Sequence, residues 1–426
     1  MSNARQVAVK VISEIERNGS FSNIAADTAI VEAGLIGAEA RLASILIYGV
    51  LQRKITLDYF LKEVAGKGFG KTHPFVLSVL RVGAYQLLFT DKIPPSAAVN
   101  ESVKIIKQSK QNFAAGFVNA VLRKINTNHE DILNSIKNIS DISVKYSVSK
   151  KFADGLIKDY GRKVAEDFLS ASLESPKLFC RVNHFAENEN LFNELSENGI
   201  TVESAELEDA FTLKGVGNIE QLENFKKGEL FVQDLASQTA ISSFEIKNGM
   251  SVLDVCAAPG GKSFTAAQFV GQSGKIVSLD LYEKRVGLIK SGAERLKITN
   301  ISTKQNDATV FNSELGLFDR VICDVPCSGF GVIRRKPEIK YKDVSEFVNL
   351  PEIQLKILET SVKYLKPNGM IMYSTCTLRK AENRQVVDKF LVKNNDFDVV
   401  SERTLMPQTD GTDGFYYLIL KRKLSD

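Results

Sequence analysis

The sequence predicts a multidomain protein with an all-α domain over residues 1–140, a small α+β module over residues 141–236 and an α/β domain over residues 237–426. Three observations carry this reading. Apolar residues recur at helical spacing through residues 4–126, short strand-like runs mix with helices after Ser175-Pro176, and from about Ser237 strands and helices alternate.

In the first region Val7, Val11, Ile12 and Ile15 fall on one helical face, as do Leu42, Ile45, Leu46, Val50 and Leu51. His73-Pro74 opens another helix, with proline in the first turn where its missing N–H is harmless. Val76, Leu77, Leu80, Ala84, Leu87 and Leu88 make its apolar side. Ile93-Pro94-Pro95-Ser96 breaks the pattern, and a last helix spans residues 113–125. The breaks imply roughly five to seven helices. Residues 1–126 carry 16 Lys and Arg against 9 Asp and Glu, whereas the rest carries 39 against 42. That basic excess suits a polyanion partner as well as it suits a solvated basic face.

Residues 151–160 and 162–171 still read as helices. Strands follow at 177–182, 200–202 and 210–213, with a helix at 189–198 closed by Gly199. In the C-terminal region strands are expected at 251–255, 275–280, 319–324 and 370–374, and helices at 262–270 and 283–296. This is the pattern of a doubly wound, mainly parallel sheet.

Several classes are disfavoured. Hydrophobic residues make up 44% and charged residues 25% of the 426, enough for sizeable cores, but no apolar run is long enough to span a bilayer. The N-terminus lacks the apolar core of a signal peptide, so a cytoplasmic location is expected. Five cysteines argue against a disulfide framework. Cys323 and Cys327 have a metal-like spacing, but there is no second pair and the three histidines are remote, so no metal is expected.

Strand 251–255 runs into Cys256, Ala257, Ala258, Pro259, Gly260, Gly261 and Lys262. A strand, a loop of small residues and a helix start let backbone N–H groups approach a nucleotide-type ligand. The loop is not Gly-x-Gly-x-x-Gly, and a phosphate-binding P-loop would need glycine where Cys256 stands. Asp280 ends the next strand, where an acid accepts hydrogen bonds from a ribose diol, and Asp307 follows the strand after that. Each acid taken singly is more often a helix cap. As an ordered series they favour an adenosyl ligand without a polyphosphate.

Two cysteines follow strands of this sheet, in Asp324-Val325-Pro326-Cys327-Ser328-Gly329 and in Tyr373-Ser374-Thr375-Cys376-Thr377. Ligands of open α/β sheets collect at such strand ends. A thiolate adding to C6 of a cytosine makes C5 nucleophilic enough to take a methyl group from a sulfonium; a base then removes the C5 proton and the thiolate leaves. Asp324 is the candidate carboxylic acid near the ring N3. Cys180 and Cys323 read as buried small hydrophobes. The residues alone do not rank the two strand-end thiols, since DNA cytosine methyltransferases use the cysteine of a Pro-Cys pair, here Cys327. The basic run Arg334-Arg335-Lys336-Pro337-Glu338-Ile339-Lys340-Tyr341-Lys342 is placed to meet backbone phosphates.

These motifs, in this order, resemble the Sun family of RNA cytosine-C5 methyltransferases. Tyr48-Gly49-Val50-Leu51, the run Leu80-Arg81-Val82-Gly83-Ala84-Tyr85-Gln86-Leu87-Leu88 and Phe117-Val118-Asn119-Ala120-Val121-Leu122-Arg123 look like the NusB-like domain of its bacterial Sun/Fmu members, which methylate small-subunit ribosomal RNA. Arg181-Val182-Asn183 and Val232-Gln233-Asp234 are similar to the family's intervening RNA-binding module. The resemblance implies a NusB-like domain, an RNA-binding module and a Rossmann-like methyltransferase domain. It also implies S-adenosyl-L-methionine as cofactor, small-subunit ribosomal RNA as partner and a monomer. It implies Cys376 as nucleophile, Cys327 as the group assisting product release, and Asp324 and Lys262 in the catalytic set. Cofactor contacts are implied at residues 256–262, Asp280, Arg285, Asp307 and Asp324. One departure is local: many members have Pro-Trp before the middle module, where this chain has Ser149-Lys150-Lys151-Phe152. Transfer RNA is the rival substrate, and a non-catalytic RNA-binding factor the rival class; the cofactor series and both thiols argue against the second.

Overall fold

The computed structural model describes residues 3–18 and 22–423, in two compact units. The first comprises Met1–Glu174 with Ile333–Val344, the second Ser175–Val332 with Ser345–Asp426.

The first unit is helical: α1 (Ala4–Asn18), α2 (Ser22–Glu32), α3 (Gly37–Ala65), α4 (Pro74–Phe89), α5 (Pro95–Lys107), α6 (Ala115–Thr127), α7 (His129–Asn138), α8 (Ile142–Tyr146), α9 (Lys150–Tyr160) and α10 (Arg162–Ala171). Helix α4 starts as its sequence suggests, with Pro74 at its head and His73 Nδ1 accepting from Phe75 N at 3.2 Å. The family-like glycines are packing residues. A Cβ on Gly49 would fall 2.0 Å from the Tyr85 ring, and one on Gly83 2.6 Å from Leu122. Arg81 lies in this core only 4% exposed because it is matched twice: its guanidinium forks onto Asp58 at 2.7 Å and reaches Glu16 at 2.6 Å.

The division differs from the expected boundaries at 140 and 236. Helix α8 is tied to α3, with Thr56 Oγ1 donating to Val144 O at 2.6 Å and Ile55 N to the Ser147 hydroxyl just past α8 at 2.8 Å, and α9 and α10 follow it into the helical unit. At the departure from Pro-Trp, Phe152 takes the buried position at 2% exposure, and Ser149 caps α9 by accepting from Phe152 N. The basic run also departs from expectation. Lys340 is fully buried and donates to Gln52 O and Oε1 at 3.0 and 3.1 Å, Tyr341 OH donates to Leu51 O, and Glu338 accepts from Ser22 Oγ at 2.6 Å. Segment Ile333–Val344 thus packs into the helical unit, and Lys340 cannot meet a phosphate. The Gln52 backbone carbonyl and side-chain amide oxygen both accept from it, which is why a residue that reads as solvated turns inward.

The second unit holds both sheets. Its elements run β1 (Leu178–Val182), α11 (Leu191–Glu197), β2 (Thr201–Ser204), β3 (Ala210–Lys214), α12 (Glu223–Lys226), β4 (Leu230–Val232), α13 (Leu235–Ser242), β5 (Ser251–Asp254), α14 (Gly261–Val270), β6 (Lys275–Asp280), α15 (Glu283–Arg295), β7 (Ile301–Gln305), β8 (Phe318–Asp324), α16 (Leu350–Ser361), β9 (Leu365–Thr375), α17 (Arg384–Lys393), β10 (Phe397–Leu405), α18 (Pro407–Asp410) and β11 (Phe415–Arg422). The first four strands form an antiparallel sheet ordered β2-β3-β1-β4. Its family-like residues are struts. Arg181, 2% exposed, bonds Asp209 at 2.5 Å and Gln268 on α14 at 3.2 Å, and Asn183 Nδ2 donates to Leu296 O at 2.8 Å.

The seven-stranded sheet is ordered β10-β11-β9-β8-β5-β6-β7, parallel from β9 to β7 and antiparallel at β10 and β11. Alternate residues feed two cores: Val252, Ile322 and Met372 face one, and Leu253, Cys323 and Tyr373 the other. The chain order reverses between β5 and β8, so the crevice beyond their carboxyl ends is the expected ligand position. Among the described residues no helix is long and apolar enough to cross a membrane.

Candidate active site

Asp254 closes β5, and the loop behind it turns tightly into α14. Gly260 adopts φ 115°, a conformation a side chain would strain, and its Cβ would lie 2.3 Å from the Phe264 ring. Ala257 N donates to Leu279 O at 2.7 Å, which lashes the loop to β6. The Ala258–Pro259 peptide is cis. Asp280, 3% exposed, stands beside this loop; Tyr282 N donates to it at 3.2 Å, and Arg285 reaches both Asp280 at 3.4 Å and Ala258 O at 3.0 Å. Arg285 therefore ties the loop to the acid. Cys256 packs below, its thiol pushed well up by burial.

At the end of β7 Asn306 N donates to Asp280 O at 3.0 Å, while the buried Asn306 Nδ2 has no hydrogen-bond partner. An amide donor left open at a strand end fits a polar ligand there, since an orphaned buried donor is costly. Asp307 is exposed and closes a turn, accepting from Thr309 N and Oγ1 at 2.8 and 2.7 Å. So residues 256–262, Asp280 and Arg285 converge with Asn306, and Asp307 stands on the adjoining turn. The donor set suits an adenosyl group: a buried acid for a diol, small residues for close approach, and no cluster of cations for phosphates.

Asp254 is fully buried and accepts from Ser263 Oγ at 2.8 Å, with Ser278 Oγ 2.7 Å further on. Burial pushes its carboxyl up to about 7, against the pull of the Ser263 hydroxyl.

The two thiols meet. Strands β8 and β9 are parallel neighbours with Asp324 opposite Ser374, so residues two or three beyond that pair share one place. Cys327 Sγ and Cys376 Sγ are 3.0 Å apart, both partly accessible, while Cys323 and Cys180 are fully buried. The hydrogen bond with Cys376, and then burial, push the Cys327 thiol well above its ordinary value. Lys262, from the first turn of α14, donates to Asp324 Oδ2 at 2.8 Å, and Ser374 Oγ donates to Asp324 Oδ1 at 2.8 Å. Burial works against the Lys262 charge, but the Asp324 carboxylate outweighs it and holds the ammonium above the usual lysine range. Asp324 accepts on both oxygens in this arrangement, and Lys262 is the donor beside it.

Beneath the thiols lies a set of residues the sequence reading passed over. Glu382, fully buried, accepts from Ser328 N at 2.8 Å, Ser328 Oγ at 2.6 Å, Arg379 at 2.7 Å and Gln354 at 3.1 Å. Thr377 Oγ1 lies 2.9 Å from Ser328 Oγ. Ser328 and Thr377 stand next to the cysteines in sequence, a signal that was available; nothing in the surroundings of Glu382 marks it.

The chain matches the family model for 16S rRNA methyltransferase RsmB/F over residues 241–421 and that for the NusB family over residues 2–127. A probable ribosomal RNA small subunit methyltransferase B of Bacillus subtilis is 36% identical over 450 residues, covering 99% of each chain. Its counterpart in Synechocystis is 29% identical over 449 residues, covering 99% of this chain and 100% of that one. Among solved structures, PH0851 superposes with TM-score 0.83 at 23% identity over 99% of both chains. NSun6 from Pyrococcus horikoshii with SFG gives 0.60 at 18% identity, over 65% of this chain and 99% of that one. At these identities the structures speak for the fold.

Proposed function

The chain belongs to the ribosomal RNA small subunit methyltransferase B family, and from that premise we propose that it methylates C5 of a cytosine in small-subunit ribosomal RNA through a covalent adduct of Cys376. It is an S-adenosylmethionine-dependent RNA methyltransferase. The observation that carries the chemistry is the approach of Cys327 and Cys376 to 3.0 Å beside the Lys262–Asp324 pair.

Bound S-adenosyl-L-methionine supplies an electrophilic methyl group on a sulfonium. Residues 256–262, Asp280, Arg285 and Asn306 would hold it at the ends of β5–β7, with Asp307 beside them. Two thiolates 3.0 Å apart repel strongly, so when one thiol ionises the other keeps its proton. Cys327 keeps it and donates to the Cys376 thiolate, which the nearby Lys262 ammonium also favours. Cys376 attacks C6, and its electron pair becomes the C6–S bond while the ring pair moves to C5. Lys262, oriented by Asp324, offsets the negative charge that grows on the ring. That ring pair is the one that would bond the methyl group, the methyl–sulfur pair staying on sulfur as a neutral thioether departs. With Cys376 alkylated, the neighbouring charge that raised Cys327 is gone. Cys327 loses its proton to solvent and takes the C5 proton; that C–H pair restores the C5–C6 double bond, and the C6–S pair returns to Cys376. Attack from one face and transfer from the other require an unstacked base. The basic helices of residues 1–126 and the β1–β4 module dock the RNA.

Cys327→Ala and Cys376→Ala expressed in cells test this. Protein linked to RNA on denaturing gels is expected from Cys327→Ala alone, and sequencing of the linked RNA names the target. A link from Cys376→Ala alone reverses the two roles.

A further inference from the structure

The Cys327 and Cys376 loops are joined by something other than their strands. Ser328 follows Cys327 and Thr377 follows Cys376, and their hydroxyl oxygens are 2.9 Å apart. Each hydroxyl has one proton, so the direction of the bonds is determined. Glu382 accepts on Oε1 from Ser328 Oγ at 2.6 Å and on Oε2 from Ser328 N at 2.8 Å. Ser328 therefore donates to Glu382, and Thr377 donates to Ser328. Arg379 and Gln354 complete the carboxylate, which has no exposure at all. Gln354 also donates to Pro326 O at 2.9 Å, the residue just before Cys327. On the other loop Asn383 accepts from Thr375 Oγ1 at 2.6 Å and donates to Thr377 O at 2.9 Å. The backbone turns carrying the two thiols are thus bonded on both sides to one short segment, residues 379–383.

A buried carboxylate with this many donors is expensive to desolvate, and the Arg379 ion pair alone would be served as well by an apolar pair of similar shape. What an apolar replacement would lose is the fixed distance between Ser328 and Thr377. We propose that Glu382 is a positioning residue for product release: it holds Cys327 where it can take the C5 proton from a base carried on Cys376. Neither RNA nor cofactor touches Glu382 in this role. The inference rests on the covalent reading above and extends it to a residue outside the two cysteine motifs.

If Glu382 acts through the position of Cys327, then disturbing it must imitate the loss of Cys327. Glu382→Gln replaces one acceptor with a donor facing Ser328. Turnover is expected to fall about 100-fold, the cost of misplacing a reacting group by about an ångström. The informative readout is the covalent intermediate: Glu382→Gln should accumulate protein–RNA adduct on denaturing gels, as Cys327→Ala does. A merely structural residue would lower the adduct together with turnover. Thr377→Val supplies a second variant that adds no mismatched donor. It should accumulate adduct too, and Thr377→Ser, which restores the hydroxyl, should relieve it. Normal turnover in Glu382→Gln overturns the proposal, as does loss of turnover without adduct in both Glu382→Gln and Thr377→Val while Cys327→Ala accumulates it. Absence of adduct from Cys327→Ala itself would fail the covalent reading, and this inference with it.

Discussion

Two cations, buried Arg81 in the helical unit and half-buried Lys262 in the catalytic unit, answer withdrawal from solvent in different ways. Arg81 is 4% exposed and faces two carboxylates, one of them gripped by two parallel bonds. Lys262 is 13% exposed and faces a single carboxylate that is itself 27% exposed. The first arrangement has no direction left in which to act on a ligand. The second leaves ammonium donors and a carboxylate edge reachable from the crevice beyond β5 and β8. A core charge fully matched inside the protein is a structural part, and one half matched at a strand end is available for chemistry. The same contrast separates Lys340, turned onto neutral acceptors of α3 and held well below the ordinary lysine range by burial, from the basic run in which it sits.

Arg81→Met is the strongest way to sharpen this comparison. It strands Asp58, leaves Glu16 with Lys54 alone, and should cost about 3 kcal/mol of stability in urea unfolding. Affinity for S-adenosylmethionine, measured by calorimetry on the folded variant, should be unchanged. A loss of affinity without a loss of stability would erase the distinction between the two cations. Lys262→Met should do the reverse. Methyl transfer should fall about 100-fold, the usual effect of removing one oriented donor from a reacting centre. Unfolding should shift by less than about 1 kcal/mol, since solvent reaches Asp324.

The last comparison concerns Asp254. Its carboxyl is raised from 3.8 to about 7, so the folded state holds a proton that the unfolded state has released. The stability this contributes is complete below the unfolded value and is lost as pH rises through about 7. Asp254→Asn should flatten the decline of the urea midpoint across that window. An unchanged slope would mean that Asp254 is ionised in the folded protein.

Much of the architecture is legible because it rests on local patterns. Helices α1, α3, α4, α5 and α6 follow apolar periodicity and proline breaks, and β6 is bounded by the residues the alternation suggests. Strand β11 was not, since residues 415–420 form an unbroken apolar run that periodicity cannot assign. The glycine loop, Asp280 and both cysteines are legible because each stands directly after a strand, where ligands of such sheets collect. Arg181, Asn183 and Lys340 were less so: charge and amide suggest exposure, and only their buried acceptors reveal struts.

The sequence by itself determined the order of the domains, the parallel sheet and the strand-end positions of its chemistry, because chain-local spacing suffices for each. Tertiary structure alone decided that two cysteines 49 residues apart lie at 3.0 Å, through the pairing of β8 with β9, which aligns Asp324 with Ser374. It likewise brought Glu382 under both loops and turned Lys340 inward. These are matters of register and of which donor finds which acceptor, and such partners are chosen across the fold, where no spacing along the chain records them.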